Sequence, residues 1–108
     1  MKKYPEVGEQ VRIPGETGFH TVVQLWKHDR VLLDDGRIFY LGGIITKHQK
    51  YITVYVIQQH FGGQYGWEDV TEEEVRSEAI QRHREYRENT NYPTRLIRRK
   101  EPNLLYQK

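Results

Sequence analysis

The chain of 108 residues has no cysteine. That excludes disulfides, thiolate metal centres and a thiol nucleophile, and a disulfide-free domain this small suits a reducing compartment. The opening stretch MKKYPEVGEQ has no apolar core, so a secretory signal peptide is not expected. The apolar runs fall far short of the roughly 18–20 residues that span a bilayer. Net charge is only +2, so no strong field of one sign draws the whole molecule to nucleic acid or membrane. The glycine pairs Gly42-Gly43 and Gly62-Gly63 are not followed by the Lys-Ser/Thr and helix of a phosphate loop. No G-x-S-x-G or S-x-x-K context surrounds a hydroxyl.

What is present is aromatic. Hydrophobic residues make up 36% and charged residues 30%, a polar balance, yet aromatics reach 12% with eight Tyr and two Trp. Disordered chains are poor in such residues, so the chain is expected to fold around a thin core in which aromatic rings supply much of the buried area. Its length allows one domain, or two very small ones.

Residues 7–45 read as short strands divided by turns. Val7 to Pro14 alternates, Pro14 to Gly18 is a loop, and Phe19 to Lys27 is rich in β-branched and aromatic residues. His28-Asp29 marks a tight turn before Arg30 to Leu33, and Asp35-Gly36 predicts a type I′ hairpin into Arg37 to Leu41. Short strands at this spacing predict a small antiparallel barrel or curled sheet.

The second half opens on Tyr51 to Phe61, strongly β-branched and aromatic, with Tyr51, Thr53, Tyr55 and Ile57 on one face and Ile52, Val54 and Val56 on the other. Apolar residues on both faces predict a central strand. Gly62 to Gly66 is a turn, and Trp67 to Val70 a short strand pairing back. A helix is expected over about 71–89, with Thr71 and Glu74 as a capping box and Val70 and Val75 as a staple. Val75, Ala79, His83 and Tyr86 form its apolar stripe, and Asn89 to Pro93 stops it. Thr94 to Arg99 alternates as a last strand, and Leu104, Leu105 and Tyr106 form a further strand or a patch. The fold class is thus α+β, mainly β, with a ββαβ unit in the second half. The division expected is 1–48 and 49–108, the two packed as one compact unit.

Charge is uneven. Glu68, Asp69, Glu72, Glu73, Glu74 and Glu78 are followed by Arg82, Arg84, Arg87, Arg95, Arg98, Arg99 and Lys100. For the helical part, acids on the first turns and bases on the last complement the helix dipole. The strand from Arg95 to Lys100 lies outside that explanation.

Two resemblances are carried by these patterns. The arrangement V-G-E-x-V-R-I-P, loop, T-V-V, turn, V-L-L-D-D-G-R resembles SH3-like barrels of the Tudor and KOW kind over about 40 residues, which implies a binding scaffold. The run G-W-E-D-V with E-Y-R-E-N and R-L-I-R-R-K resembles a segment of small bacteriophage and prophage proteins over about 50 residues. That resemblance implies a mobile-element accessory protein in the cytoplasm of a bacterial host cell, and brings no catalytic residues.

The five histidines have no metal-site spacing, and neither Asp34-Asp35 nor Glu68-Asp69 supplies carboxylates facing across a cleft, so no catalytic, metal or cofactor site is expected. Binding residues are expected on two surfaces. One is the aromatic turn with Phe61, Tyr65 and Trp67. The other is the basic strand with Arg95, Arg98, Arg99 and Lys100, joined by Arg87 and set beside Tyr86 and Tyr92, groups suited to phosphate contact and base stacking. Arg95 and Arg99 share one face of that strand, and Arg98 and Lys100 the other. The functional expectation is a non-enzymatic protein that binds and occludes a host or defence protein or nucleoprotein complex, without a membrane partner; the alternative is a nucleic-acid-binding accessory protein.

Overall fold

A computed structural model describes residues 4–106. The first three residues of the opening stretch and the last two of the tail EPNLLYQK lie outside the described residues. Among the described residues the protein is mainly β, with a curled half-barrel sheet and one α-helix.

The curled sheet is built from β1 (Gln10–Val11), β2 (His20–Trp26), β3 (Arg30–Leu33) and β4 (Ile38–Tyr40), antiparallel and in that order. Reciprocal bonds between Arg12 and Ile45, 2.9 and 2.8 Å, bring the segment after β4 back alongside β1. A bulge at Val23 adds local twist to β2. Val11, Ile13, Val22, Val31, Leu33 and Ile44 form its core, with Phe39 and Leu41 packed against them. Full burial of side chains of this size stabilises by about 1.5–3 kcal/mol each.

The turns follow their local chemistry, with one correction. His28 and Asp29 both hold positive φ, 62° and 57°, the pairing that a type I′ turn needs. At Asp34-Asp35-Gly36 only Gly36 does, at 86°. Its amide donates to Leu33 O at 3.0 Å and Leu33 N donates to Arg37 O at 3.0 Å. This is a three-residue loop closed by a glycine bulge, not the expected two-residue type I′ turn. β4 stops at Tyr40, and Leu41–Gly43 form a 3-10 turn.

The second sheet comprises β5 (Tyr51–His60), β6 (Trp67–Glu73) and β7 (Thr94–Pro102), ordered β6-β5-β7, so β5 is central as its composition predicts. β6 is antiparallel to β5, with Val70 as an extra residue. His60 N donates to Pro93 O and Asn103 N to Lys50 O, so β7 runs antiparallel to β5 on its other side. Between β6 and β7 lies α1 (Arg76–Asn89).

The helix begins five residues later than the expected 71. Thr71 lies in β6 opposite Ile57, and the residue at the helix N-cap is Val75, which makes no side-chain cap. The Thr71/Glu74 capping box and the Val70/Val75 staple are therefore not used. Thr and Val favour a strand and charged side chains are tolerated on a sheet edge, so once β5 offers a ladder that pairing outweighs the local cap. Glu68, Asp69, Glu72 and Glu73 consequently sit on β6, and only Glu78 lies in the first helical turn, so the dipole account of the acids does not hold. The expected end is met: Thr90 N donates to Tyr86 O, and Ala79 is fully buried.

The chain divides into two compact units, one running to Ile52 and taking up the stretch from Pro102 on, the other Thr53–Glu101. The boundary expected at 48/49 therefore falls four residues later, and the C-terminal stretch belongs with the first unit rather than the second. Asn103 explains the latter. It is buried, and its side-chain amide donates to Thr46 O at 2.9 Å and Gln49 O at 2.6 Å, while its Oδ1 accepts from Leu105 N. Leu104 is fully exposed and makes no further strand; the chain turns there instead.

Candidate functional site: an aromatic and arginine cluster at the β5–β6 turn

The turn joining β5 to β6 is forced by glycine. Gly62, Gly63 and Gly66 all have positive φ, 90°, 53° and 59°, a region that side chains rarely adopt. Phe61 N donates to Gly66 O, Tyr65 N to Gly62 O, and Gly62 N to His60 Nδ1 at 3.1 Å. This tight turn leaves Tyr65 63% exposed. It also sets His60 directly opposite Trp67, their rings edge to face at 5.2 Å. Phe61 packs edge to face against Tyr92 at 4.7 Å. Such ring pairs add binding energy beyond their area and hold the rings in fixed orientations.

Arg95 comes in from β7. Its guanidinium lies 4.2 Å from the centre of the Trp67 ring, a cation–π stack, and its Nε donates to Gln58 Oε1 at 2.8 Å. Buried Gln58 in turn donates to Asp69 at 2.7 Å, and Asp69 accepts a two-pronged contact from Arg99 at 2.8 and 3.3 Å. Glu72 lies 3.7 Å from Arg99 as well. Gln58 thus has both ends of its amide satisfied, the requirement for a buried polar group. The Arg99 guanidinium and the Gln58 amide hold the Asp69 carboxyl below the usual carboxylate range, and Asp69 holds the Arg99 guanidinium above its usual value.

Of the expected binding residues, Phe61, Tyr65, Trp67 and Arg95 come together at this end of the sheet, and Arg99 is tied to the same ladder through Asp69. Arg98 and Lys100 alternate onto the opposite, helix-covered face and are exposed, with no ion-pair partner among the described residues. Arg87 is on the helix, apart from the turn. The basic strand is therefore not one cationic patch: Arg95 is stacked and Arg99 neutralised. Arg82 is likewise engaged, by Glu85 at 3.2 Å and Glu73 at 3.5 Å. The sequence reading missed Gln58, His60 and Asp69 as members. The signal available was Gln58-Gln59, two amides at the end of an otherwise apolar central strand, which demand buried partners.

A second polar group lies in the first unit. Arg37 donates to both oxygens of Glu16 at 2.8 Å and to Asp35 at 2.6 Å, and His20 Nδ1 is 3.0 Å from Asp34. His20, Asp34 and Asp35 are close enough to share a cation. The guanidinium of Arg37 already fills the cationic role there, so the group reads as a loop clamp. Asp34 and Asp35 thus do more than shape a turn.

The pH consequence follows from direction. Arg37, by hydrogen bond, lowers the Glu16 carboxyl; His20 lowers Asp34; and the Arg37 amide and guanidinium lower Asp35. Carboxyls depressed in the folded state contribute stability above their unfolded values and lose it as pH falls through the folded ones. Urea unfolding followed by Trp26 fluorescence in a Trp67→Phe background should thus show a falling midpoint below about pH 4. In Arg37→Gln the drop should be clearly smaller, and an equal drop would contradict the clamp.

Compared with protein-family models, with curated proteins and with solved structures, the chain matches none.

Proposed function

We propose that the protein is a small binding module without a catalytic role, which engages a host or defence protein in a bacteriophage or prophage setting and occludes its surface. The observation that carries this reading is the fixed aromatic cluster around Trp67. Aromatic rings and arginine dominate the energetics of protein–protein contacts when they are held in place at low entropic cost. Here one side of Trp67 carries the Arg95 guanidinium and His60 meets it edge to face, while Tyr65 stands free. A ring so engaged suits a packed protein contact better than a stacked base. The pairing of Arg99 with Asp69 also removes a cation that phosphate contact would need. The setting rests on the G-W-E-D-V, E-Y-R-E-N and R-L-I-R-R-K segments.

A second reading, nucleic-acid binding, is favoured by one observation in the first unit. We read its curled sheet as SH3-like, with Trp26, Arg30 and Tyr40 aligned across β2, β3 and β4, the two rings exposed and Arg30 half-buried between them. Arg30 lies 5.5 Å from the Trp26 ring. Exposed aromatic rings beside a cation suit stacking with bases.

Fluorescence anisotropy with labelled duplex DNA, single-stranded DNA and RNA at low salt separates the two. On the protein-binding reading none binds. Binding that weakens steeply with salt and is lost in Trp26→Ala/Tyr40→Ala would establish the second reading instead.

A further inference from the structure

β7 is an edge strand, with β5 on one side and no strand on the other among the described residues. The bonds from His60 N to Pro93 O and from Asn103 N to Lys50 O fix its register. In an antiparallel ladder the bonded pairs recur at every second residue. Counting inward from either bond pairs Arg95 with Gln58, Ile97 with Val56 and Arg99 with Val54. Arg95, Ile97 and Arg99 thus turn their backbone groups toward β5. Leu96, Arg98 and Lys100 turn theirs outward, where no strand receives them.

The side chains along this open edge are cationic. Arg98 and Lys100 are exposed and unpaired among the described residues. The helix adds to them. Arg82 reaches Glu73 on β6, so its flank of α1 faces β6. Arg87 lies about 140° around the helix from Arg82, at 3.6 residues per turn, on the flank toward β7. His83, one turn before Arg87, approaches Thr94 O at 3.5 Å, which places Arg87 toward the Thr94 end of the edge. The acid on β7 itself, Glu101, shares the face of Arg99 and bears on that residue.

Lysines and arginines on an edge discourage pairing between like copies, because two such edges would set cation against cation. The same charges favour an extended segment that carries acids. We infer that the β7 edge is a docking site for an acidic, extended segment of a partner protein, which adds as a strand through the outward backbone groups of Leu96, Arg98 and Lys100. Glutamate or aspartate side chains of that segment meet Arg98, Lys100 and Arg87. Main-chain bonding supplies affinity in this mode and the side chains supply selection. The site is separate from the Trp67 cluster, and the two stand or fall independently.

Amide hydrogen exchange on the full chain tests this in two steps. In the free protein, the amides of Arg95, Ile97 and Arg99 should be protected and those of Leu96, Arg98 and Lys100 should exchange at least about tenfold faster. Protection of all six would mean that the edge is already covered, and would overturn the inference. The probe is then a blocked peptide of about eight residues, a typical strand length, alternating glutamate with valine and threonine. It should slow exchange at Leu96, Arg98 and Lys100, and the same peptide with lysine for glutamate should not. N-methylation of alternate peptide amides should abolish the effect in one of the two registers, since it removes ladder donors. Arg98→Glu/Lys100→Glu, changes at exposed positions, should reverse the preference between the two peptides. The inference is overturned by no slowing at those amides, by slowing confined to Tyr65 and Trp67, or by loss of peptide binding to a competing oligonucleotide with no backbone protection.

Discussion

Replacing Asn103 by Ala should lower the unfolding free energy of the unit containing the curled sheet by about 2–4 kcal/mol, because one buried and one partly buried carbonyl lose their donor. Those carbonyls belong to Thr46 and Gln49, in the loop that leads from the curled sheet into β5. Asn103 also orders the C-terminal turn by accepting from Leu105 N and by donating its backbone N–H to Lys50 O. The side chain is 7% exposed, so water does not readily replace what it gives up. Asn103→Asp should be destabilising too, since a carboxylate offers no N–H to either carbonyl. Urea titration read through Trp26, in a Trp67→Phe background, measures the loss. A change below about 0.5 kcal/mol, the size of an ordinary surface substitution, would remove Asn103 as the anchor.

Tyr65→Ala combined with Trp67→Ala should reduce partner affinity at least about a hundredfold, since central aromatic anchors are worth 2 kcal/mol or more each and every 1.4 kcal/mol is tenfold. Tyr65 is the exposed ring and Trp67 the one that Arg95 and His60 hold. Gln58, Arg95 and Asp69 act at one remove, by keeping Trp67 in place. The substitutions fall on a turn and an exposed strand end, so the core at Val54, Val56, Ile57 and Ala79 is untouched. An unchanged affinity in a variant that stays folded would move the contact surface elsewhere.

Much of this fold is visible in local chemistry. β2 and β5 are runs rich in β-branched and aromatic residues, and β3 is a short apolar run directly after a tight turn; such runs have few alternatives. The helix end is visible in Asn89 to Pro93. The helix start is not, because Thr71 and Glu74 have capping-box spacing and strand-compatible chemistry at once. Only the pairing of Thr71 with Ile57 decides between them, and that contact joins residues far apart in the chain. The same holds at Asp35-Gly36, where a dipeptide fits two hairpin types and the bond from Leu33 N to Arg37 O selects the longer.

The candidate site is half visible for the same reason. Phe61, Tyr65 and Trp67 are neighbours in sequence, so their clustering follows from one turn. Arg95 over Trp67 and the Gln58–Asp69–Arg99 ladder depend on the register of three strands, which no local pattern states. The alternation of Arg95 to Lys100 is legible along the strand, but what each face meets across the sheet is not. Arg95 and Arg99 fall on the face with Gln58 and Asp69, while Arg98 and Lys100 fall on the other. Separating them turns one presumed phosphate surface into two different features, a neutralised aromatic ladder and a cationic edge.

The most direct test of the protein-binding account is a quantitative pull-down from nuclease-treated bacterial lysate, comparing wild type with Tyr65→Ala/Trp67→Ala. The account predicts a stoichiometric protein partner on the wild type, unaffected by nuclease and lost from the variant. Recovery of no stoichiometric protein, or equal recovery by both, would contradict it.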